Sequence, residues 1–361
     1  MPRSIVIAPD SFKGSLSASE VAAAIAEGWR SVHPHDHLAM LPQADGGEGT
    51  LDAMETAVPG SVRRSVGDVT GPDARPTPGE WLSLPDGTAV VELAQCSGLP
   101  LMRELDPLGA STRGLGEVIR AALDSGATSL VIGLGGSAST DAAAGALAAL
   151  GLRVLDAAGE VLSDGGAALA RAARIDRSHL VPPPAGGVVL LTDVTAPLTG
   201  PNGAAVVFAP QKGADPQQVR VLDAALDHFA HLAGGEPSAP GAGAAGGAGY
   251  GFAALWGATI VSGADRIAEL TGLHRAIEHA DVLITGEGRF DDQSARGKVV
   301  GQLLDRAAAH GVRTGVVAGQ VTATTDVWTA SLTELGGSVD AALAEPERWI
   351  RAAGAAAARD L

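Results

Sequence analysis

The chain has 361 residues, 46% of them hydrophobic and only 18% charged, with a formal net charge of −16 and a pI near 4.9. That length supports two domains with sizeable cores, and the acidic balance argues against nucleic acid or an anionic membrane, whose phosphates are repelled unless basic residues cluster; no such cluster stands in the sequence. The single Cys96 excludes an intrachain disulfide, the opening apolar run is too short for a signal sequence and no stretch reaches membrane-spanning length, so a cytoplasmic, reducing location is expected.

Ser4 to Ala8 reads as a buried strand. The loop PDSFKGS then leads into a helix capped by Ser17, with Glu20 three residues on completing a capping box. Ser11 and Lys13 therefore lie on a strand-to-helix loop. A second strand, His37 to Pro42, empties into QADGGEGT, where Asp45 and Glu48 flank a glycine pair. Such a paired-acid loop suits a divalent metal or a general base, and equally an acidic first helix turn. From about Ser61 to Gln95, β-type runs alternate with Pro and Gly turns, which predicts antiparallel strands and a change of domain.

After a helix from about Gly114 to Asp124 comes SLVIGLGGSASTDAAAGALAALG, read as a strand, a glycine turn and a buried helix over Ala142 to Leu152. Gly135 and Gly136 allow close approach of a ligand, Ser137 and Ser139 carry hydroxyl donors, and a helix start supplies N–H groups, a shape that cradles phosphate. Tight helix packing explains the same glycines. The strand Val188 to Thr192 ends in Asp193 and a glycine-rich turn, and Asp215 caps a helix with Pro216 at its first position and Gln218 closing a capping box. The segment GAGAAGGAGYG reads either as a flexible linker or as backbone that wraps a nucleotide.

The densest charge follows the run Val282 to Thr285, where Gly286 and Gly288 predict a turn carrying Glu287, Arg289, Asp291, Asp292, Arg296 and Lys298 ahead of a helix from about Gly297 to His310. A further strand over Thr314 to Ala318 and a closing helix from Pro346, with a fraying alanine-rich tail, complete the chain. Lysine sharpens this reading. Only Lys13, Lys212 and Lys298 occur, against 22 arginines, and each stands beside a glycine, where a compact ammonium reaches a phosphate or carboxylate close to the backbone. Lys212, in QKGADPQQ, fits a helix-opening turn as well as a site.

Taken together, IVIAPDSFKGSLSASEVAAAIAEGW, PQADGGEGT, VTGP, GLGGSASTDAAAG, TDVTAPLTGPNGA, VFAPQKGA, GAGAAGGAGYG and TGEGRFDDQSARGK resemble the bacterial glycerate kinase family over nearly the whole length. The resemblance implies an α/β fold of two domains. One is a Rossmann- or flavodoxin-like parallel sheet with helices on both faces, built from both chain ends (1–62 and 283–361); the other is a mixed-sheet domain inserted into it (63–282). It also implies ATP-dependent phosphorylation of D-glycerate. This chain departs from the family pattern at Thr140-Asp141-Ala142-Ala143, where Asn-Asp-Gly-Gly is usual, at Ala196, where Asn is usual, and at Arg296, often His. The first departure questions any nucleotide contact by residue 140, whereas alanines at 142 and 143 are harmless if those positions are helical.

Phosphoryl transfer requires alignment, charge neutralisation and a carboxylate near the attacking hydroxyl. The expected roles are Ser11, Lys13 and Arg289 on the glycerate carboxylate, and Gly135, Gly136, Ser137, Ser139 and Lys298 on the triphosphate. Lys298 also counts among the substrate-binding residues and Lys13 among the catalytic ones. Asp193, then Asp45, is expected as base, and Asp193, Glu287 and Asp291 are candidate magnesium ligands. The product expected is 2-phosphoglycerate, with the 3-hydroxyl also a reasonable acceptor. A hydroxy-acid dehydrogenase would share substrate and α/β architecture and would want a GxGxxG turn with an acid about twenty residues on; a non-catalytic anion- or nucleotide-binding protein would bind without ATP turnover. A homo-oligomer is left open.

Overall fold

The computed structural model describes residues 2–12, 14–291 and 299–361, so Lys13, Asp292, Arg296 and Lys298 lie outside the described residues. The strands in chain order are β1 (Ser4–Pro9), β2 (His37–Met40), β3 (Val62–Thr70), β4 (Pro76–Ser83), β5 (Thr88–Glu92), β6 (Ser129–Gly133), β7 (Arg153–Leu155), β8 (Arg174–Asp176), β9 (Val188–Leu191), β10 (Thr259–Val261), β11 (Val282–Phe290), β12 (Arg313–Val321) and β13 (Trp328–Ser331). The chain divides into two compact units, one of Met1–Ala44, Asp52–Pro59 and Ala264–Leu361, the other of Asp45–Leu51 and Gly60–Gly263.

In the first unit the sheet runs β13-β12-β11-β1-β2 and every pairing is parallel. Its central strands are apolar at successive positions because both faces are covered. Ile5, Ile7, Val282 and Ile284 pack with Val21, Ile25, Trp29 and Ile350, whereas Val6, Ala8 and Leu283 pack with Leu273, Ile277 and Leu303. The strand order is flavodoxin-like, and it reverses between β1 and β11, the place where such sheets open a crevice. The Ser17–Glu20 capping box starts the helix Ala18–Arg30. Against it lies the closing helix Pro346–Asp360: a Cβ on Gly28 would stand 2.1 Å from the Arg351 carbonyl oxygen, and one on Gly354 2.4 Å from that of Ile25. This backbone approach docks the alanine-rich tail, with Ala357 and Ala358 buried, so it does not fray as expected.

The second unit carries a mixed six-stranded sheet, β10-β9-β6-β5-β4-β3, antiparallel from β3 to β5 and parallel from β5 to β10. The Asp215 capping box and Pro216 open the helix Pro216–Ala233. The helix expected over Ala142 to Leu152 spans only Ala144–Ala149, because Ala142 and Ala143 are left-handed, at φ 50° and 58°, rather than helical. The segment around Gly246 is not a linker. It forms the helix Ala244–Trp256, left-handed at Ala245, Gly246 and Gly247, in which a Cβ on Gly246 would lie 2.2 Å from the Ser139 carbonyl oxygen and one on Gly251 1.8 Å from that of Ala142. Its glycines wrap protein backbone. Cys96 is fully buried, and burial pushes its thiol pKa up to about 12, which leaves it inert.

Candidate active site

Functional groups of the second unit gather at the carboxyl ends of β5, β6, β9 and β10. The loop from Asp45 to Leu51 crosses this edge with almost no side-chain bulk between backbones. A Cβ on Gly133 would lie 2.5 Å from the Gly46 carbonyl oxygen, one on Gly135 2.3 Å from the Gly47 Cα, and one on Gly46 2.6 Å from the Leu191 carbonyl oxygen. Gly46 also sits at φ +90°, where a side chain is strained. The Gly135 N–H donates to the Gly46 carbonyl at 3.0 Å, stitching the two turns together.

Gly263, just past β10, joins the two acids. Its N–H donates to Asp193 Oδ1 at 3.0 Å, and a Cβ there would stand 1.9 Å from the Asp45 carbonyl oxygen. Asp45 Oδ1 in turn accepts the Gly47 N–H at 2.9 Å. Asp45 and Asp193 are both exposed, and each has one oxygen committed to a backbone N–H. Asp193 lines an open cleft of about 550 Å³ together with Val194, Thr195, Pro197, Asn202, Val207 and Phe208. Val207 remains 47% exposed, apolar surface that a flat ligand would cover.

The glycine turn 135–139 has a charged underside. Lys212, 2% exposed, donates from Nζ to Ser137 Oγ at 2.8 Å and to the Ser139 carbonyl oxygen. Desolvation lowers its pKa to about 7, against the pull of the nearby Asp141 carboxylate. Asp141 is also fully buried, which raises its pKa, while its Oδ2 accepts from the Thr112 N–H (2.9 Å), the Thr112 hydroxyl (2.8 Å) and the Gly145 N–H (3.2 Å). Among the described residues the N–H groups of Gly136 and Ser137 donate to no backbone carbonyl. The buried Ser139 and Thr140 hydroxyls likewise have no partner there.

In the first unit, β11 does not turn at Gly286 and Gly288. It continues to Phe290, with Glu287 opposite Ala318 and Arg289 opposite Gln320 on β12. The glycines serve close strand approach: a Cβ on Gly286 would lie 2.2 Å from the Val317 carbonyl oxygen, and one on Gly319 2.5 Å from that of Gly288. Asp10 donates its N–H to Gly286 at 2.8 Å and takes the Ser11 N–H on Oδ1 at 2.6 Å, which brings Ser11 and Glu287 to the switch point of the sheet. Arg289 and Asp291 form an ion pair at 3.9 Å.

Two groups escape sequence reasoning. Glu92, 5% exposed at the end of β5, accepts the N–H groups of Gly49 and Leu51 at 3.1 and 3.0 Å and so anchors the Asp45 loop. Its signal is a lone acid inside VVELAQ. Asp141 is visible in sequence only as part of a variant motif; its position between a serine-rich turn and small residues hides a buried carboxylate.

Backbone amides left open at a glycine turn, on a unit that also carries carboxylates at its strand ends, suit an enzyme of the phosphoryl-transfer class. The chain matches the glycerate kinase family over residues 5–361 and belongs to it. It is thus a kinase that uses ATP, with glycerate as its small-molecule acceptor. Among its relatives, glycerate 2-kinase of Escherichia coli is 45% identical over 304 residues, covering 82% of this chain and 79% of the relative. Glycerate kinase of Bacillus subtilis is 43% identical over 326 residues, covering 88% and 85%. The crystal structure of a putative glycerate kinase 2 from Salmonella typhimurium superposes with a TM-score of 0.84 at 36% identity, covering 99% of this chain and 98% of that one. Among the described residues no helix is long and apolar enough to cross a membrane.

Proposed function

We propose that the enzyme phosphorylates the 2-hydroxyl of D-glycerate, giving 2-phosphoglycerate and ADP in the cytoplasm. The observation that carries the reading is that Gly263 meets both the Asp193 carboxylate and the backbone of Asp45, with the Gly135 turn packed against the same loop. The 2-hydroxyl is favoured by the name of the Escherichia coli relative, a glycerate 2-kinase.

The amides of Gly136 and Ser137, with the hydroxyls of Ser137 and Ser139, receive the phosphates. The cleft at Asp193 takes the adenosine, its purine against Val207 and Phe208 and its polar edge toward the Asn202 amide. Ser11, Lys13 and Arg289 bind the glycerate carboxylate, and Lys298 serves the triphosphate. In the reaction the hydroxyl oxygen attacks the γ-phosphorus as the bond to the β,γ-bridging oxygen breaks. The hydroxyl proton passes to Asp193, whose Oδ1 is held by Gly263 while Oδ2 is left to take it. Proton transfer of this kind contributes about 10²–10⁴-fold.

Magnesium fits the donor set. Asp45 and Asp193 are hard oxygen donors at an exposed edge, and magnesium usually takes only one or two protein carboxylates, keeping the rest of its shell in water and phosphate oxygen. Asp45 would hold it, rather than Asp291, which already faces Arg289. When bound, the ion would neutralise negative charge on the phosphates. Phosphorus NMR of the product tests the assignment: a 2-phosphoglycerate resonance is expected, and 3-phosphoglycerate alone would reject the regiochemistry. An Asp193→Asn variant that folds normally and keeps wild-type turnover would remove Asp193 as the base.

A further inference from the structure

We propose that Lys212 is a positioning residue for nucleotide binding, holding the Ser137 hydroxyl as a hydrogen-bond donor toward the phosphates. The proposal rests on the reading that the 135–139 turn cradles those phosphates.

An ammonium has donors and no acceptor. Ser137 Oγ, 2.8 Å from Lys212 Nζ, must therefore accept, and its only proton is free to point elsewhere. Among the described residues that hydroxyl makes no second hydrogen bond. The second bond from Nζ, to the Ser139 carbonyl, pins the peptide joining Ser139 and Thr140, and in a planar trans peptide the N–H then faces the opposite way from the carbonyl. One buried charge thus orients a hydroxyl and a peptide dipole of the same turn.

A merely structural lysine is a poor account of this site. Burying an ammonium is costly, and an apolar side chain of similar volume would fill the space without that cost. The charge is instead maintained by Asp141, the titratable group acting on Lys212, whose carboxylate is itself steadied by three donors on Oδ2. The surrounding polar groups are not self-sufficient either. The Ser139 and Thr140 hydroxyls and Asp141 Oδ1 are buried without partners, a pattern that a purely structural core avoids and a ligand site tolerates.

Titration gives the proposal a second handle. Protonated Lys212 leaves the Ser137 proton for the ligand, whereas the neutral amine gains a lone pair and competes for it. With Lys212 titrating at about 7, nucleotide affinity should fall as pH rises through neutrality.

The test is calorimetric titration of ADP into the full-length wild type, Ser137→Ala, Lys212→Met and the double variant. Each single change should weaken ADP about tenfold, the scale of one hydrogen bond to a charged group. The double variant should be no weaker than the weaker single one, since both remove the same interaction. If the two effects multiply, Lys212 does not act through Ser137 and the proposal is overturned. A structural role would show instead as a lower melting temperature for Lys212→Met with ADP affinity unchanged, which also overturns it. Ser137→Ala with wild-type ADP affinity would reject the phosphate-cradle reading itself, whatever Lys212 does. Should Lys212→Met fail to fold, the pH dependence decides. Between pH 6 and 9 the wild type should lose affinity more steeply than Ser137→Ala, whose curve carries the nucleotide's own titration; identical curves would overturn the proposal.

Discussion

In the first unit the neighbouring parallel strands β1 and β11 lie where the strand order reverses, and the space beyond Pro9 and Gly286 arises from topology. In the second unit β5, β6, β9 and β10 stand in chain order with no such reversal, and the room at their carboxyl ends is made by glycine. Gly46, Gly133, Gly135 and Gly263 let a separate loop lie on the strand ends, with Asp45 and Asp193 held by backbone N–H groups. A site opened by topology keeps its shape when one side chain changes. A site opened by bare backbone does not.

The sharpest way to break that contrast is a methyl group. Gly263→Ala places a Cβ 1.9 Å from the Asp45 carbonyl oxygen, and neither partner is a side chain that can swing away. Overpacking of this kind costs about 1–3 kcal/mol, and the displaced acids should lower kcat by about 100-fold or more. Gly14→Ala is its counterpart in the first unit: at φ +79° with nothing within 4 Å, it should cost about 1 kcal/mol through backbone strain and far less in turnover. Thermal melts and steady-state kinetics of the pair compare the two edges directly, and equal losses of turnover would erase the distinction.

The carboxylates carry the next largest effect. Asp193→Asn should lower kcat by about 10²–10⁴-fold, as loss of a general base does, with a normal melting temperature. Glu287→Gln, in mid-strand on β11, should cost about tenfold or less. A reversed order would move the proton acceptor to the first unit.

What could be read beforehand follows the same division. Two-sided burial of the first unit's strands was foreshadowed by continuous apolar runs, since a strand covered on both faces has no polar alternation to mislead, whereas its flavodoxin-like sheet was implied by the family resemblance alone. Capping boxes at Ser17 and Asp215 are local chemistry and were legible for that reason. Glycine was the ambiguous letter. At 286 and 288 it suggested a turn and proved to be close strand approach; around 246 it suggested a linker or a nucleotide wrap and proved to be helix packing. No local pattern tells backbone-to-backbone approach from flexibility, because the partner backbone is distant in sequence. Lys212 fared likewise: its rarity marked it, but only the fold shows that it lies under the 135–139 turn.

Under that turn the buried charge has a stability signature. Below about pH 7 Lys212 is protonated in both folded and unfolded chains, and the full penalty of burying it stands. Between about 7 and the ordinary lysine value only the unfolded chain holds the proton, so stability should rise with pH by about 1.4 kcal/mol per unit across that window. Burial shifts Asp141 upward, and its titration acts in the opposite sense. Urea denaturation from pH 7 to 10 should show the rise in the wild type and a flatter profile in Lys212→Met. Parallel profiles would mean that Lys212 keeps its charge throughout.

The smallest effect concerns left-handed alanines. An L-residue there is strained by about 1–2 kcal/mol, which glycine relieves, less about 0.5–1 kcal/mol of added unfolded-state entropy. At Ala74, φ 62° and exposed, Ala74→Gly should therefore stabilise by about 0.5–1 kcal/mol. Ala142 has similar strain at φ 50° but is fully buried, and its carbonyl lies against Gly251 of the helix Ala244–Trp256. Removing its methyl forfeits about 0.8 kcal/mol of burial, so Ala142→Gly should come out near neutral. Denaturation midpoints of the two variants separate the strain from the packing. If Ala142→Gly gains as much as Ala74→Gly, the methyl packs against nothing useful, and the backbone of the second unit's turn is held by its glycines and hydrogen bonds alone.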